Sequence, residues 1–249
     1  MPPNEAVRRI TILNSPVDAV TMQSALALIK SYVKTQSKPG YILAINPEKV
    51  YTLLFNRPLR AFTEGATLLL PDGIGVVLAA RILLGARLSR VTGADLMQSL
   101  CAEAAREHYR IFLFGASEEV NRRTGQELRR RYPGIQIAGR LNGYSGAQDT
   151  EAAIRIINAA QADILFLALG SPRQENWIAE NLPRLNVKLC QGVGGTFDTI
   201  AGTVKRAPGW VQSLGLEWFY RFAHQPARAG RLMTVFKFAA LVLVAKFRG

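Results

Sequence analysis

Short runs rich in β-branched and aromatic residues, at residues 9–13, 41–45, 67–70, 110–114, 135–138, 164–169 and 187–191, recur along the chain. Helical stretches at 18–33, 47–55, 74–84, 94–107, 118–131 and 150–160 separate them. Few architectures accept that order. Strands joined through helices pair in parallel, and a parallel sheet must be covered on both faces. The expected fold is therefore α/β and Rossmann-like, a mostly parallel sheet with helices on both sides. In such sheets ligands bind outside the carboxyl ends of the strands. With 249 residues the chain can bury a full core as one large domain, and it shows no internal repeat or low-complexity linker.

Charge bounds what such a fold handles. The net charge is +13, and from residue 203 onward eight basic residues face one acid, Glu217, so +7 of it lies in the last 47 residues. Acids nearly vanish and aromatics rise near Gly202. The chain thus divides into an α/β core, residues 1–202, and a basic, apolar, helical C-terminal appendage, residues 203–249. An end of this kind seeks an anionic surface. The longest apolar run near the C-terminus, residues 238–245, is far short of the ~20 residues that span a bilayer, so the expected membrane contact is interfacial. Away from the membrane, the apolar appendage would favour a homo-oligomer. The N-terminal MPPNEAVRRITIL lacks a signal-peptide core, and Cys101 and Cys190 form neither a CxxC nor a disulfide framework. The expected location is cytoplasmic, peripheral on the inner face of the membrane.

Several strands end in polar residues that then open a helix. YILAI leads to Asn46-Pro47-Glu48, and TLLL to Pro71-Asp72-Gly73. ILFLALG leads to Ser171-Pro172-Arg173-Gln174, and KLCQ to Gly192-Val193-Gly194-Gly195-Thr196. Each has a structural explanation. Asn46 before Pro47 makes a good helix N-cap, Ser171 and Gln174 fit a capping box, and Asp72 could cap the helix that follows it. Four such ends in one parallel sheet would nevertheless converge on one crevice. Of the strand-end groups Asn46, Asp72, Ser171 and Gln174, Asp72 is the one that can act as a base. Gly192, Gly194 and Gly195 allow backbone N–H groups to approach a phosphate, although they could equally form a tight turn.

Neither a dinucleotide fingerprint nor a GxxxxGK[ST] loop is present. There is also no DxD or HExxH, and the imidazoles are His108 and His224. No metal or cofactor is expected, so a nucleotide diphosphate would need arginine to balance its charge. Arg90, in LSRVTGADL, is one candidate, and Arg221, Arg228 and Arg231 in the appendage supply more. With His224 the last three recur at helical spacing, interrupted by Pro226.

The stretches INPEKV, LPDGIGVV, RVTGADL, FLFGA, LALGSPRQE, GVGGTFD, VKRAP, GLEWFYR and QPAR resemble the WecG/TagA/CpsF glycosyltransferases. These enzymes serve enterobacterial common antigen, wall teichoic acid and exopolysaccharide synthesis. The resemblance implies transfer of N-acetylmannosamine, its uronic acid or a related hexose from a UDP-sugar. The acceptor it implies is N-acetylglucosamine on a polyprenyl diphosphate such as undecaprenyl diphosphate. The new bond would be β, with no metal and no nucleic acid involved. It further implies that Asp72 deprotonates the acceptor hydroxyl, that Asn46, Arg90 and Gln174 line the donor pocket, and that Arg221, Arg228 and Arg231 complete it. Where the family often carries a hydroxyl residue two before the asparagine, this chain has Ala44, so one donor contact is missing. Two other readings are a Rossmann-like dehydrogenase or nucleotide hydrolase, and a non-catalytic basic module that binds nucleic acid or anionic lipid.

Overall fold

A computed structural model of the chain describes residues 7–36, 38–213, 219–220 and 229–248. The first element is an antiparallel hairpin of β1 (Arg9–Ile12) and β2 (Ser15–Asp18). Leu13 and Asn14 turn it with φ of 47° and 63°, the pattern of a type I′ hairpin turn. Asp18, 2 % exposed, staples the hairpin to the main sheet. Its carboxylate accepts from Arg9 Nε at 2.7 Å and from the Leu69 N–H at 2.8 Å. The helix expected from residue 18 accordingly starts later. Thr21 caps α1 (Met22–Thr35), with Ser24 closing the capping box.

Further along lie β3 (Gly40–Ile45), α2 (Pro47–Phe55), α3 (Arg57–Glu64), β4 (Leu68–Pro71), α4 (Ile74–Leu84) and α5 (Gly93–Glu107). Then come β5 (Arg110–Gly115), α6 (Glu118–Arg131), β6 (Gln136–Leu141), α7 (Gly143–Gln148), α8 (Thr150–Ala159) and β7 (Ile164–Ala168). The last elements are α9 (Arg173–Asn181), β8 (Leu189–Gly192), α10 (Thr196–Ile200), α11 (Gly209–Ser213) and α12 (Ala229–Arg248). Six strands form one parallel sheet in the order β4-β3-β8-β7-β5-β6. This is the expected architecture, including the helical C-terminal segment.

Period-two alternation within buried strands makes two cores. Leu43, Ile45, Phe112, Phe114, Leu165 and Leu167 face one side, covered by α2, α4, α8, α9 and α12. Ile42, Leu68, Leu70, Leu113, Ile164 and Phe166 face the other, under α1, α5, α6 and α10. The C-terminal helix α12 joins the first core through Phe238 and Val242, which are 3 % and 4 % exposed. Its opposite side leaves Met233, Phe236, Leu243, Val244 and Phe247 exposed, and Leu78 and Ile82 are exposed on α4, the helix it packs against. No helix among the described residues is long and apolar enough to cross a membrane.

Candidate active site

Strands β3 and β8 are neighbours, yet the helices that follow them cover opposite faces: α2 packs with the first core and α10 with the second. Chains that part in this way leave a crevice at the carboxyl ends of the two strands. Here the crevice has a volume of about 1290 Å³, and its wall includes Asn46, Asp72, Arg90, Gln174, Gly192, Gly194, Gly195 and Thr196. All the core residues singled out from the sequence therefore share one cavity. Arg221 and Arg228 lie outside the described residues, and Arg231 falls in the first turn of α12.

Each polar strand end is held by a specific local device. Asn46 does cap α2, its Oδ1 accepting from the Lys49 N–H at 2.8 Å, with Pro47 in the first turn. Asp72 does not cap the helix after it. Gly73 holds the N-cap position of α4 with φ of 91° and makes no side-chain cap bond. The Asp72 carboxylate turns instead to the start of α5, where the Gly93 N–H donates to Oδ2 at 3.1 Å. Its own N–H extends the ladder to Ile45 O at 2.9 Å and sets it beside Asn46. A negative group at that helix N-terminus is electrostatically favoured. Gly93 is fixed in turn by buried Gln191, whose Nε2 donates to Gly93 O at 2.9 Å.

The capping box expected at Ser171 and Gln174 does not form. Pro172 takes the N-cap position of α9 without a side-chain bond. The Gln174 amide is engaged elsewhere: Oε1 accepts from the Gly194 N–H at 3.0 Å, and Nε2 donates to Glu175 Oε1 at 3.2 Å. Gly192 makes room for this, since a Cβ there would stand 2.6 Å from Gln174 Nε2. Gly194 has φ of 53°, which only glycine adopts freely. Thr196 donates its hydroxyl to Val193 O at 2.6 Å and closes the turn.

Arg90, half-buried on the crevice wall, forms no ion pair among the described residues, so its charge is available to an anion. Arg206 is committed otherwise, bridging to Asp95 at 2.6 Å in the first turn of α5. Ala44 also lines the crevice and faces Gly93, where an added Cβ would stand 3.4 Å from the Ala44 Cβ.

Sequence reasoning missed several wall residues. Leu232 and Val235 of α12 border the crevice, so the terminal helix forms part of it. Two further acids, Glu48 and Asp198, lie on its margin. Lys49 and Glu175 form a buried ion pair beneath it, Lys49 6 % and Glu175 0 % exposed. The available signal was an unlike pair of charges, each one turn or less past a polar strand end.

Comparison with known proteins gives this geometry its relatives. The sequence model described as "Glycosyl transferase WecG/TagA/CpsF family" matches residues 10–249. A curated relative from Bacillus subtilis (strain 168) is named N-acetylglucosaminyldiphosphoundecaprenol N-acetyl-beta-D-mannosaminyltransferase. It is 34% identical over 233 residues, covering 94% of this chain and 90% of the relative. A protein of the same name from Bacillus spizizenii (strain ATCC 23059 / NRRL B-14472 / W23) is 35% identical over 226 residues, 89% of this chain and 87% of that one.

Proposed function

The chain belongs to the WecG/TagA/CpsF family and is a glycosyltransferase; from that premise we propose the reaction its crevice performs. A hexose of the N-acetylmannosamine type passes from UDP to N-acetylglucosamine on a polyprenyl diphosphate, with inversion and without a metal. The observation that carries this reading is the convergence of Asp72, Asn46, Arg90, Gln174 and the 192–196 loop on one crevice at the β3/β8 divide.

In this reading the acceptor hydroxyl oxygen attacks the anomeric carbon from the face opposite UDP. The bond from that carbon to the β-phosphate oxygen breaks, and UDP leaves with the electron pair. The hydroxyl proton passes to Asp72, which the Gly93 N–H orients. Arg90 meets the charge growing on the diphosphate, joined by Arg221, Arg228 and Arg231 from the appendage. One carboxylate suffices, because UDP needs no proton to depart. Asn46, Gln174 and the glycine loop hold the donor in place. The exposed apolar face of α12 lies in the membrane interface, with Lys246 and Arg248 near anionic headgroups. The enzyme then works on the inner face of the cell membrane, where the lipid-linked acceptor is reached.

The test is UDP release from UDP-N-acetylmannosamine, with and without a short-chain prenyl-diphosphate-linked N-acetylglucosamine, in excess EDTA. Release only with acceptor, undiminished by EDTA, is expected. Asp72→Asn should keep donor binding and lower turnover by about 10²–10⁴, whereas Glu48→Gln and Asp198→Asn should stay near wild type. Full turnover in Asp72→Asn would remove the proposed base.

A further inference from the structure

The crevice floor holds two charges that the proposed chemistry does not use. Lys49 in α2 and Glu175 in α9 are 126 residues apart in sequence and meet as a buried ion pair. Buried pairs of this kind roughly break even against apolar residues of similar size, so stability alone is a weak reason for one. This pair is also incompletely satisfied: Glu175 Oε2 has no hydrogen-bond partner among the described residues.

Its neighbour gives it a purpose. A glutamine amide has two nearly isosteric ends, one that donates and one that accepts, and its orientation must be imposed from outside. Gln174 is wedged between two groups that impose it. A carboxylate only accepts, so Glu175 Oε1 draws the Nε2 end of Gln174 at 3.2 Å. A backbone N–H only donates, so Gly194 draws the Oε1 end at 3.0 Å. Lys49 matters because its three N–H donors, with no acceptor, hold the Glu175 carboxylate in place beside Gln174. With both ends assigned, Gln174, a residue of the crevice wall, keeps a second Nε2 hydrogen as a donor of fixed identity.

We infer that the Lys49–Glu175 pair is a positioning device: it sets the amide of Gln174 so that a donor N–H, and not an acceptor oxygen, faces the oxygen-rich sugar nucleotide. The inference rests on Gln174 being a donor-binding residue. Lys49 borders the crevice with its ammonium engaged by Glu175, which does not line it. Lys49 is neutralised by Glu175, so it is no free counter-ion for the diphosphate.

The decisive variant is Lys49→Met/Glu175→Gln. It removes both charges, leaves neither unpaired, and gives residue 175 an amide that can present either end to Gln174. Full-length enzyme is assayed with UDP-N-acetylmannosamine and a prenyl-diphosphate-linked N-acetylglucosamine. Donor KM is expected to rise roughly tenfold, the effect of one misdirected hydrogen bond. Turnover at saturating donor should stay within about twofold and the acceptor KM should not move. Lys49→Arg, which keeps an acceptor-only partner for Gln174, should restore the wild-type donor KM. Lys49→Leu/Glu175→Gln, which likewise removes both charges, should behave the same way and serves if the first double variant does not fold. Gln174→Ala separates the donor-binding role of Gln174 from the positioning role of the ion pair. An unchanged donor KM in Gln174→Ala overturns the reading of Gln174 itself. A raised KM there, with a wild-type KM in either folded double variant, overturns the positioning role alone.

Discussion

Replacing Gly192 by alanine tests the packing of the crevice floor with one methyl group. The new Cβ would lie 2.6 Å from Gln174 Nε2, 3.0 Å from its Cδ and 3.4 Å from its Cγ. Carbon contacts settle at about 3.5 Å, so the amide must withdraw by roughly 0.9 Å. Its two hydrogen bonds, at 3.0 and 3.2 Å, do not survive such a shift. Two buried bonds at about 0.5–1.5 kcal/mol each amount to ~1–3 kcal/mol. The reduced freedom of the unfolded chain returns about 0.4–1 kcal/mol of that. Backbone strain adds nothing, because Gly192 is not among the glycines with positive φ. A net loss of ~1–2 kcal/mol corresponds to a Tm lower by roughly 2–8 °C for a chain of this size. Donor KM should rise by about an order of magnitude, since Gln174 and the Gly194 loop move together. Calorimetry and a donor titration measure the two effects. Adding Gln174→Ala relieves the clash, so the double variant should recover Tm over Gly192→Ala without recovering KM. If Gly192→Ala melts and binds donor like the wild type, the amide is not held where its bonds place it.

Other outcomes follow from the same packing. Ala44→Ser supplies a hydroxyl on the crevice wall without the bulk of threonine beside Gly93, and donor KM should fall a few-fold. Phe238→Ala removes the side chain that seats α12, at a cost of about 3 kcal/mol or more. Amide exchange across 229–248 should then quicken at least ~100-fold while the central strands keep their protection. Met233→Gln/Phe236→Gln/Phe247→Gln alters exposed residues only, so Tm should hold while co-sedimentation with phosphatidylglycerol vesicles weakens about tenfold or more. On the α1–α5 surface, hydrogen bonds from Lys30 and then Lys34 hold the Glu107 carboxyl down at about 2. A depressed acid stabilises above its unfolded value near 4.3 and loses that contribution as pH falls through the folded one. Tm should therefore decline between about pH 4.5 and 2, and Lys30→Met/Lys34→Met should flatten that part of the profile.

The central strands were legible because a parallel strand buried on both faces reads as an unbroken apolar run, as in YILAI or ILFLA. The crevice was legible for a related reason. Polar residues that end such runs have nowhere to go except the carboxyl edge of the sheet. What stayed hidden depended on tertiary pairing. Ser15–Asp18 contains a proline and a buried acid, and becomes a strand only because Arg9 and Leu69 satisfy Asp18. Ser171 and Gln174 carried a capping signature, but the Gly194 N–H and Glu175 outcompeted the helix end for the amide. Lys49 and Glu175 were not singled out, because charges just past a polar strand end are as much at home on the surface as in a pair, and this pair forms across a long stretch of chain.

Helix α2 touches both ends of the enzyme. Its cap, Asn46, stands in the crevice, and at Tyr51 its ring faces Lys237 of α12, with Nζ 5.7 Å from the ring centroid. Five residues of helix span about 7.5 Å, too short a rod to bend appreciably. A tilt of the terminal helix would therefore reach Asn46 and the crevice as a rigid displacement. Tail seating and donor grip become two readings of one coordinate, and a change at Tyr51, which borders no part of the crevice, should register as a change in affinity for the nucleotide.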